Sequence, residues 1–452
     1  MKTNLSLSGF PDFNPLETKR REYILSIIKD SFKLFGFLPI STASVEKRSN
    51  LFGNYGDDGE KLIFQILKNG NYLSKANLET ENLSFKELSP QISDKALRYD
   101  LTLSLARFVA RNQSEITFPF KRYEIGSVFR ADRPQKGRLR EFVQCDADIV
   151  GDKSLWLEVD LLTLMTSILT QLKLKESVIK LNNRKILEGL FQCFVSNLTF
   201  SEFCIIIDKI EKIGVDKMEE LLLKGGFLKE SIAQIKNIFS FRGSLDEKKE
   251  YLFKEIGQND KLITGFDDLS FILNQFDNQN IQFDITLARG LDYYTGTIFE
   301  VFSSSSPSIS LAGGGRYDRL TEKFGVNDIS GVGFSIGLDR TYLELESLNL
   351  FPNSINTNLD ILFLNFGYEE AKRSQLYINK IRNLNKSVEL FPSSIKINKQ
   401  MSYANKRGVK FVVMIGEDEL QKNVLTIKNM LTGQQNTFSI LQLIKLLKTD
   451  EL

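Results

Sequence analysis

Residues 119–151 constrain the fold most. Two arms flank a very polar centre: 119–129, with apolar residues at Phe120, Ile125 and Val128, and a return arm over 141–150. Alternation on both sides of a polar connection predicts two antiparallel strands joined by a long basic loop. A sheet is therefore expected at the centre of the chain, with a shaped loop at one end. On the return arm Phe142, Gln144, Asp146 and Asp148 share one face. An aromatic, an amide and two carboxylates make a poor core and a good ligand floor. The alternative is the wet face of an edge strand.

The remaining elements group around that sheet. Asn14, Pro15 and Glu17 make a capping box and first helical position, and Ile24, Ile27, Ile28, Phe32 and Phe35 mark an apolar helix face that Gly36 closes. A strand entry follows at 37–40. Residues from about 185 to 270 have helical periodicity and many Lys and Glu, which predicts an inserted helical subdomain. Strand signals resume at 281–288 and 297–302, and a helix is expected over about 339–348. Residues 349–358 have linker composition. Beyond them come strands at 359–366, 388–391, 410–415 and 424–429. Helices alternate with these at about 368–384, 394–406 and 439–449. This rhythm indicates a separate α/β domain. The expected division is 1–350, a linker at 351–358, and 359–452, in keeping with the two or more domains that 452 residues suggest.

Composition narrows the chemistry. Lys and Arg total 59 against 57 Asp and Glu, so net charge does not advertise a nucleic-acid binder, though local basic patches remain open. Three cysteines fit neither a disulfide framework nor a zinc cluster, and a reduced, intracellular setting is the simple reading. No apolar run approaches the roughly 18 residues that span a bilayer, and the first residues lack a cleavable signal pattern. There is no histidine at all. The commonest general base and transition-metal ligand are thus missing, so catalysis must use carboxylates, guanidinium groups, hydroxyls, substrate groups or a hard cation.

Several strings are suited to a ligand with an anion and a polar ring. Residues 287–300 put Arg289 beside a glycine, with Tyr293 and Tyr294 adjacent. Guanidinium grips carboxylate or phosphate in a fork, and a phenol can bond a heterocycle at its edge. The loop 130–140 crowds Arg130, Arg133, Lys136, Arg138 and Arg140 together, which suits a polyphosphate or a solvated charged loop equally. Taken alone, Asp100 reads first as a helix cap; if its segment is extended, Asp100 and Thr102 point the same way and together could hold an ammonium. Gly313-Gly-Gly-Arg-Tyr-Asp318 and the glycine-spaced strand 331–337, leading to Arg340, read as turns or close strand packing when taken alone.

Taken in order, these strings resemble the class II aminoacyl-tRNA synthetases, and within them the histidyl-tRNA synthetases. Phe129-Arg130 through Phe142 is similar to the second class motif and Gly331 through Arg340 to the third; 15–40 occupies the place of the first. The strings at 287–294 and 313–318 are similar to the two histidine signatures of that family, and Ile415-Gly-Glu-Asp-Glu-Leu420 to a turn of its anticodon-binding domain. Arg98-Tyr-Asp-Leu-Thr102 and Gln144-Cys-Asp-Ala-Asp148 resemble the eukaryotic-type subgroup.

The resemblance implies an α+β catalytic domain, an antiparallel sheet flanked by helices, with a helical insertion and a C-terminal α/β anticodon-binding domain. It implies a homodimer, through the first motif, and a cytoplasmic enzyme without a membrane anchor. It also implies a two-step reaction. Histidine attacks the α-phosphate of ATP, and the histidyl group then passes to the 3′ end of tRNA(His), with Mg²⁺ on the phosphates. In that scheme Arg130 and Arg289 hold the α-phosphate, and Arg289 also meets histidine. Asp132, Arg138 and Arg340 serve the rest of ATP, and Phe142 stacks on adenine. Asp100, Thr102 and Tyr317 hold the ammonium and Gln144 the carboxylate. Asp148 and Tyr294 read the imidazole, with Tyr293 beside them. Arg133 and Gln135 face the tRNA acceptor. The alternative is a catalytically silent, histidine-sensing paralogue that regulates histidine biosynthesis; it typically lacks the anticodon domain and catalytic arginines. The missing histidine fits an enzyme whose translation does not need its own product, or simple drift in a chain with 35 Phe and one Trp.

Overall fold

The computed structural model describes residues 6–53, 59–74, 84–277, 280–288, 293–305, 309–356 and 359–449. The chain divides into two compact units, Met1–Leu350 and Phe351–Leu452.

In chain order the first unit has strands β1 (Leu38–Pro39), β2 (Val45–Lys47), β3 (Gln65–Leu67), β4 (Ser93–Leu97), β5 (Phe120–Phe129) and β6 (Glu141–Val150). They are followed by β7 (Val178–Asn183), β8 (Ile281–Phe283), β9 (Thr297–Phe302), β10 (Ser310–Tyr317) and β11 (Gly331–Gly337). Eight of them form one sheet in the order β1-β5-β6-β11-β10-β9-β7-β8. Its centre is antiparallel, and the two edge pairings, β1 with β5 and β7 with β8, are parallel. The β5–β6 pair runs in unbroken register from Phe120 opposite Val150 to Phe129 opposite Glu141. β2, β4 and β3 make a small separate sheet.

The registers sort the large sheet into two faces. One carries Tyr123, Ala147, Ile149, Val332, Phe334, Phe299 and Leu181, all buried. The helix Pro15–Leu34 covers it: the Phe32 ring lies 5.3 Å from Tyr123 and 6.2 Å from Phe334. Ile24, Ile28 and Phe32 recur at helical spacing and are fully buried, and the Asn14–Glu17 capping box forms. Burying such side chains contributes about 1.5–3 kcal/mol each. The helix Trp156–Gln171 packs on the same face at β11. The other face is polar and carries Arg122, Glu124, Asp146, Asp148, Ser335 and Tyr317.

Six helices fill residues 184–273 between β7 and β8. Four carry side-chain caps from Asn183, Thr199, Ser244 and Asn259. Among the described residues, no helix is long and apolar enough to cross a membrane.

The second unit is a five-stranded sheet: β12 (Leu359–Phe363), β13 (Val388–Leu390), β14 (Val409–Met414), β15 (Leu425–Asn429) and β16 (Gln435–Phe438), ordered β13-β12-β14-β15-β16. Period-2 alternation divides its core. Ile361, Phe363 and Val413 face the helices Tyr368–Arg382 and Ile440–Thr449, while Leu362 and Val412 pack with Ala404 of the helix Ile397–Lys406. Two elements were not expected. β16 is polar and exposed, so it has no apolar period. The segment read as a turn at 415–420 contains the helix Glu417–Lys422, started by Glu419 accepting from the Gly416 N–H at 3.0 Å.

Candidate active site

The polar face is built by cross-strand pairing. Arg122 stands directly opposite Asp148, and Glu124 opposite Asp146. All four are buried. Arg122 Nη2 lies 2.7 Å from Asp148 Oδ2. Arg98, from the turn after β4, reaches Glu124 at 3.0 Å and also donates to the carbonyls of Ser127 and Thr42. Gly126 makes room for it: a Cβ there would stand 2.3 Å from the Arg98 guanidinium.

Tyr317 joins from β10. Its hydroxyl donates to Asp148 Oδ1 at 2.6 Å, reaching across β11. Glycines clear the path. A Cβ at Gly333 would lie 1.9 Å from Asp148 Oδ1, and one at Gly331 would lie 2.3 Å from the Tyr317 ring. Tyr293 stands 4.8 Å from Tyr294 and edge-on to Tyr317 at 6.3 Å between centroids. Tyr294 and Tyr317 belong to a buried cluster with Tyr99, Leu103 and Leu287. Burial pushes the carboxyls of Asp146 and Asp148 upward, Asp146 the more strongly, while Arg122 pulls both back. Burial and the Asp148 charge hold Tyr317 well above the usual phenol range, so it keeps its proton and donates.

Asp100 and Thr102 do not sit on an extended segment. Thr102 is the first residue of the helix Thr102–Asn112, and Asp100 caps it by accepting from the Leu103 N–H at 3.0 Å. The extended geometry is lost because this helix begins immediately after the turn. The residue between them meets the polar face, where Arg122 donates to the Leu101 carbonyl at 3.5 Å.

A cleft of about 1030 Å³ opens along the same face. Arg130, Asp132, Gln135, Arg138, Phe142, Gln144 and Arg340 line it, as do Asp208 and Lys212 of the helical region. Asp100, Asp148, Tyr294 and Tyr317 are not among its lining residues; they lie in the packed floor beyond Gln144. The Arg130 guanidinium rides 4.3 Å over Tyr99 and 5.2 Å over Phe142, and its Nε donates to the Tyr99 carbonyl at 3.2 Å. Among the described residues no carboxylate pairs with it. Arg340 donates to the Gly137 and Ser310 carbonyls, tying the basic loop to β10. Arg138 pairs with Asp132 at 2.8 Å. Gln135 and Arg138 exchange backbone hydrogen bonds, with Gly137 at φ 75 between them, so the loop is a tight hairpin. Arg133 and Gln135 are exposed. Arg140 differs from the other four cations: it donates to the Asp132 carbonyl and its stem packs on Gly9, so it braces the loop.

Gln144 donates to Ser335 Oγ at 2.6 Å, leaving its Oε1 without a hydrogen-bond partner. Arg289 lies outside the described residues. The segment before it is held firmly: Asn182 donates to the carbonyls of Ile285 and Leu287, and Arg184 to that of Ala288.

Arg122, Glu124 and Arg98 were missed as site residues, whereas Asp146 was placed on the ligand floor without a role of its own. The signal for Arg122 and Glu124 was the alternation of charge at 122 and 124, on the side that also bears Phe120 and Val128. Arg316, inside a site-like string, proves structural: it pairs with Glu158 at 2.6 Å on the opposite face.

A mostly antiparallel sheet with a polar floor, a basic hairpin between its second and third strands and a glycine-spaced strand running into an arginine helix defines a class II aminoacyl-tRNA synthetase catalytic region. The family model for histidyl-tRNA synthetase matches residues 79–341, and that for the anticodon-binding domain matches 366–450. The histidine–tRNA ligase of Christiangramia forsetii is 44% identical over 435 residues, 95% of each chain. That of Flavobacterium johnsoniae is 42% identical, covering 94% of this chain and 95% of its own. The crystal structure of histidyl-tRNA synthetase from Nostoc sp. PCC 7120 superposes with a TM-score of 0.80 at 28% identity, over 99% of this chain and 100% of its own. The chain belongs to the histidyl-tRNA synthetase family.

Proposed function

We propose that the polar face activates histidine with ATP and that the chain then transfers the histidyl group to the 3′ end of tRNA(His). The placement of the buried Asp148–Tyr317–Tyr294 group on the same sheet face as an arginine-lined cleft, with Gln144 lining that cleft, carries this reading. In the pocket, Asp148 accepts from one imidazole nitrogen and Tyr294 meets the other, with Tyr293 closing the ring site. Asp100, Thr102 and Tyr317 hold the ammonium. Gln144, with an open Oε1, lies at the boundary and orients the substrate's carboxylate end through its amide.

In the cleft, Arg130 is stacked between two rings and free of carboxylates, which preserves its charge for the α-phosphate. Negative charge grows there as the histidine carboxylate attacks in line, and Arg289 supplies a second guanidinium. Arg138 and Arg340 hold the outer phosphates, Asp132 positions Arg138, and Phe142 offers a stacking face to adenine. The exposed Arg133 and Gln135 meet the tRNA acceptor. Mg²⁺ enters with ATP. No three metal-ligating side chains converge among the described residues, so the phosphates are its main ligands.

The second unit serves the anticodon, the enzyme works in the cytoplasm, and the helix Pro15–Leu34 with its flanking strand builds a homodimer. The silent-paralogue alternative is disfavoured by the ligase relatives, by the second unit and by the retained arginines at 130, 138, 289 and 340. Histidine-dependent ATP–pyrophosphate exchange followed by tRNA charging tests the reading. Neither activity in the purified protein would sink it, and exchange without charging would confine the failure to the tRNA side.

A further inference from the structure

We infer that Arg122 is a positioning residue for histidine recognition: it holds Asp148 ionised and aimed, and ties it to the 100–102 turn. This rests on the proposed histidine contact of Asp148. Arg122 is fully buried, directly opposite Asp148 in the β5–β6 register, with Nη2 2.7 Å from Oδ2. The same nitrogen lies 3.5 Å from the Leu101 carbonyl, between Asp100 and Thr102. One guanidinium thus touches both halves of the proposed pocket, the ring side and the ammonium side.

A structural role alone does not account for this arginine. Its Nε and Nη1 have no hydrogen-bond partner among the described residues. Buried Arg316 offers the contrast: it donates to both Glu158 oxygens, to Ser330 Oγ and to the carbonyls of Asp152 and Ser154. Arg316, kept for architecture, is saturated. A buried ion pair that leaves donors unused gives little stability over an apolar pair of the same shape.

Its charge matters instead. Around the pocket, four buried acids (Asp100, Glu124, Asp146 and Asp148) face two buried guanidiniums, Arg98 and Arg122. Arg98 is committed to Glu124. Arg122 supplies the cationic partner that, with the Tyr317 hydroxyl, opposes proton uptake by Asp148. An ionised Asp148 only accepts hydrogen bonds, so it selects a ring N–H and rejects an isostere without one.

The test is ATP–pyrophosphate exchange by the full-length protein carrying Arg122→Lys, with histidine and ATP varied separately. Lysine keeps the charge but loses the fork. The KM for histidine should rise about tenfold or more while that for ATP stays within about twofold. A second variant, Arg122→Met with Asp146→Asn, removes the guanidinium together with the neighbouring acid that competes for it. It should also raise the histidine KM and move the acid limb of kcat/KM for histidine to higher pH, because Asp148 then holds its proton longer. An unchanged histidine KM in a folded variant, or equal rises in both KM values, overturns the inference; so does loss of the melting transition in both variants. Asp148→Asn is the control. If it leaves the histidine KM unchanged, the reading of Asp148 as a histidine contact is what fails.

Discussion

Asp146 and Asp148 stand two positions apart on one strand and are held differently. Asp148 has the Arg122 ion pair and the Tyr317 hydroxyl, whereas Asp146 has the Ser335 hydroxyl on one oxygen and no hydrogen-bond partner on Oδ1. Burial therefore raises Asp146 well above the ordinary carboxylate range. Its folded-state pKa exceeds its unfolded one, so its contribution to stability is present at acid pH and lost as pH rises through the raised value. Asp146→Asn should flatten that loss, seen as a smaller decline in urea-melt stability than in the parent as pH is raised above the ordinary carboxylate range; an equal decline in both would contradict the assignment. Tyr294→Phe should mainly raise the KM for histidine, and Arg289→Ala should mainly slow single-turnover adenylate formation. If Arg289→Ala left adenylation intact, the central assignment would fall. The face shared by Phe142, Gln144, Asp146 and Asp148 was legible because a strand's side chains alternate. Arg122 was not, because the first arm was read from Phe120, Ile125 and Val128, which lie on both faces of β5.

Single strands show why glycine strings resist reading one residue at a time. Gly314, Gly331 and Gly333 all deny space to a Cβ, for three different neighbours. At Gly314 a Cβ would lie 2.0 Å from the Gly333 carbonyl and 2.6 Å from Phe334 Cα, and backbone cannot move aside. At Gly333 and Gly331 the obstructed atoms belong to Asp148 and Tyr317. Gly314→Ala should therefore cost stability, on the order of 1–3 kcal/mol or more, in a denaturant melt. Gly333→Ala should in addition raise the histidine KM, since Asp148 must swing away from Tyr317; a purely thermodynamic defect there would argue against that geometry. β8 shows a converse limit. A strand was expected over 281–288 but ends at Phe283, because Asn182 takes the Ile285 and Leu287 carbonyls out of the ladder. Side-chain capture of backbone from about a hundred residues away leaves no local pattern.

The two units have separate sheets and separate cores, which sets what division of the molecule should do. Residues 1–350 expressed alone should retain histidine-dependent pyrophosphate exchange. Charging should fall by about a hundredfold or more at limiting tRNA, because tethering a second binding unit contributes affinity of that order. Charging at the full-length rate would detach the second unit from tRNA selection. At this scale the sequence by itself determined the two long strand arms, the shaped basic loop, the capped first helix and the alternating rhythm after residue 358. Each is a local signal, set by periodicity, turn residues and caps. It also supplied, through resemblance, the residues proposed for the ligand site. Only the tertiary structure decided the contacts across the sheet: Arg122 against Asp148 and Tyr317 across Gly333. Those contacts depend on register between strands distant in sequence. Register is chosen by the packing of the whole sheet, and alternation along one strand does not encode it.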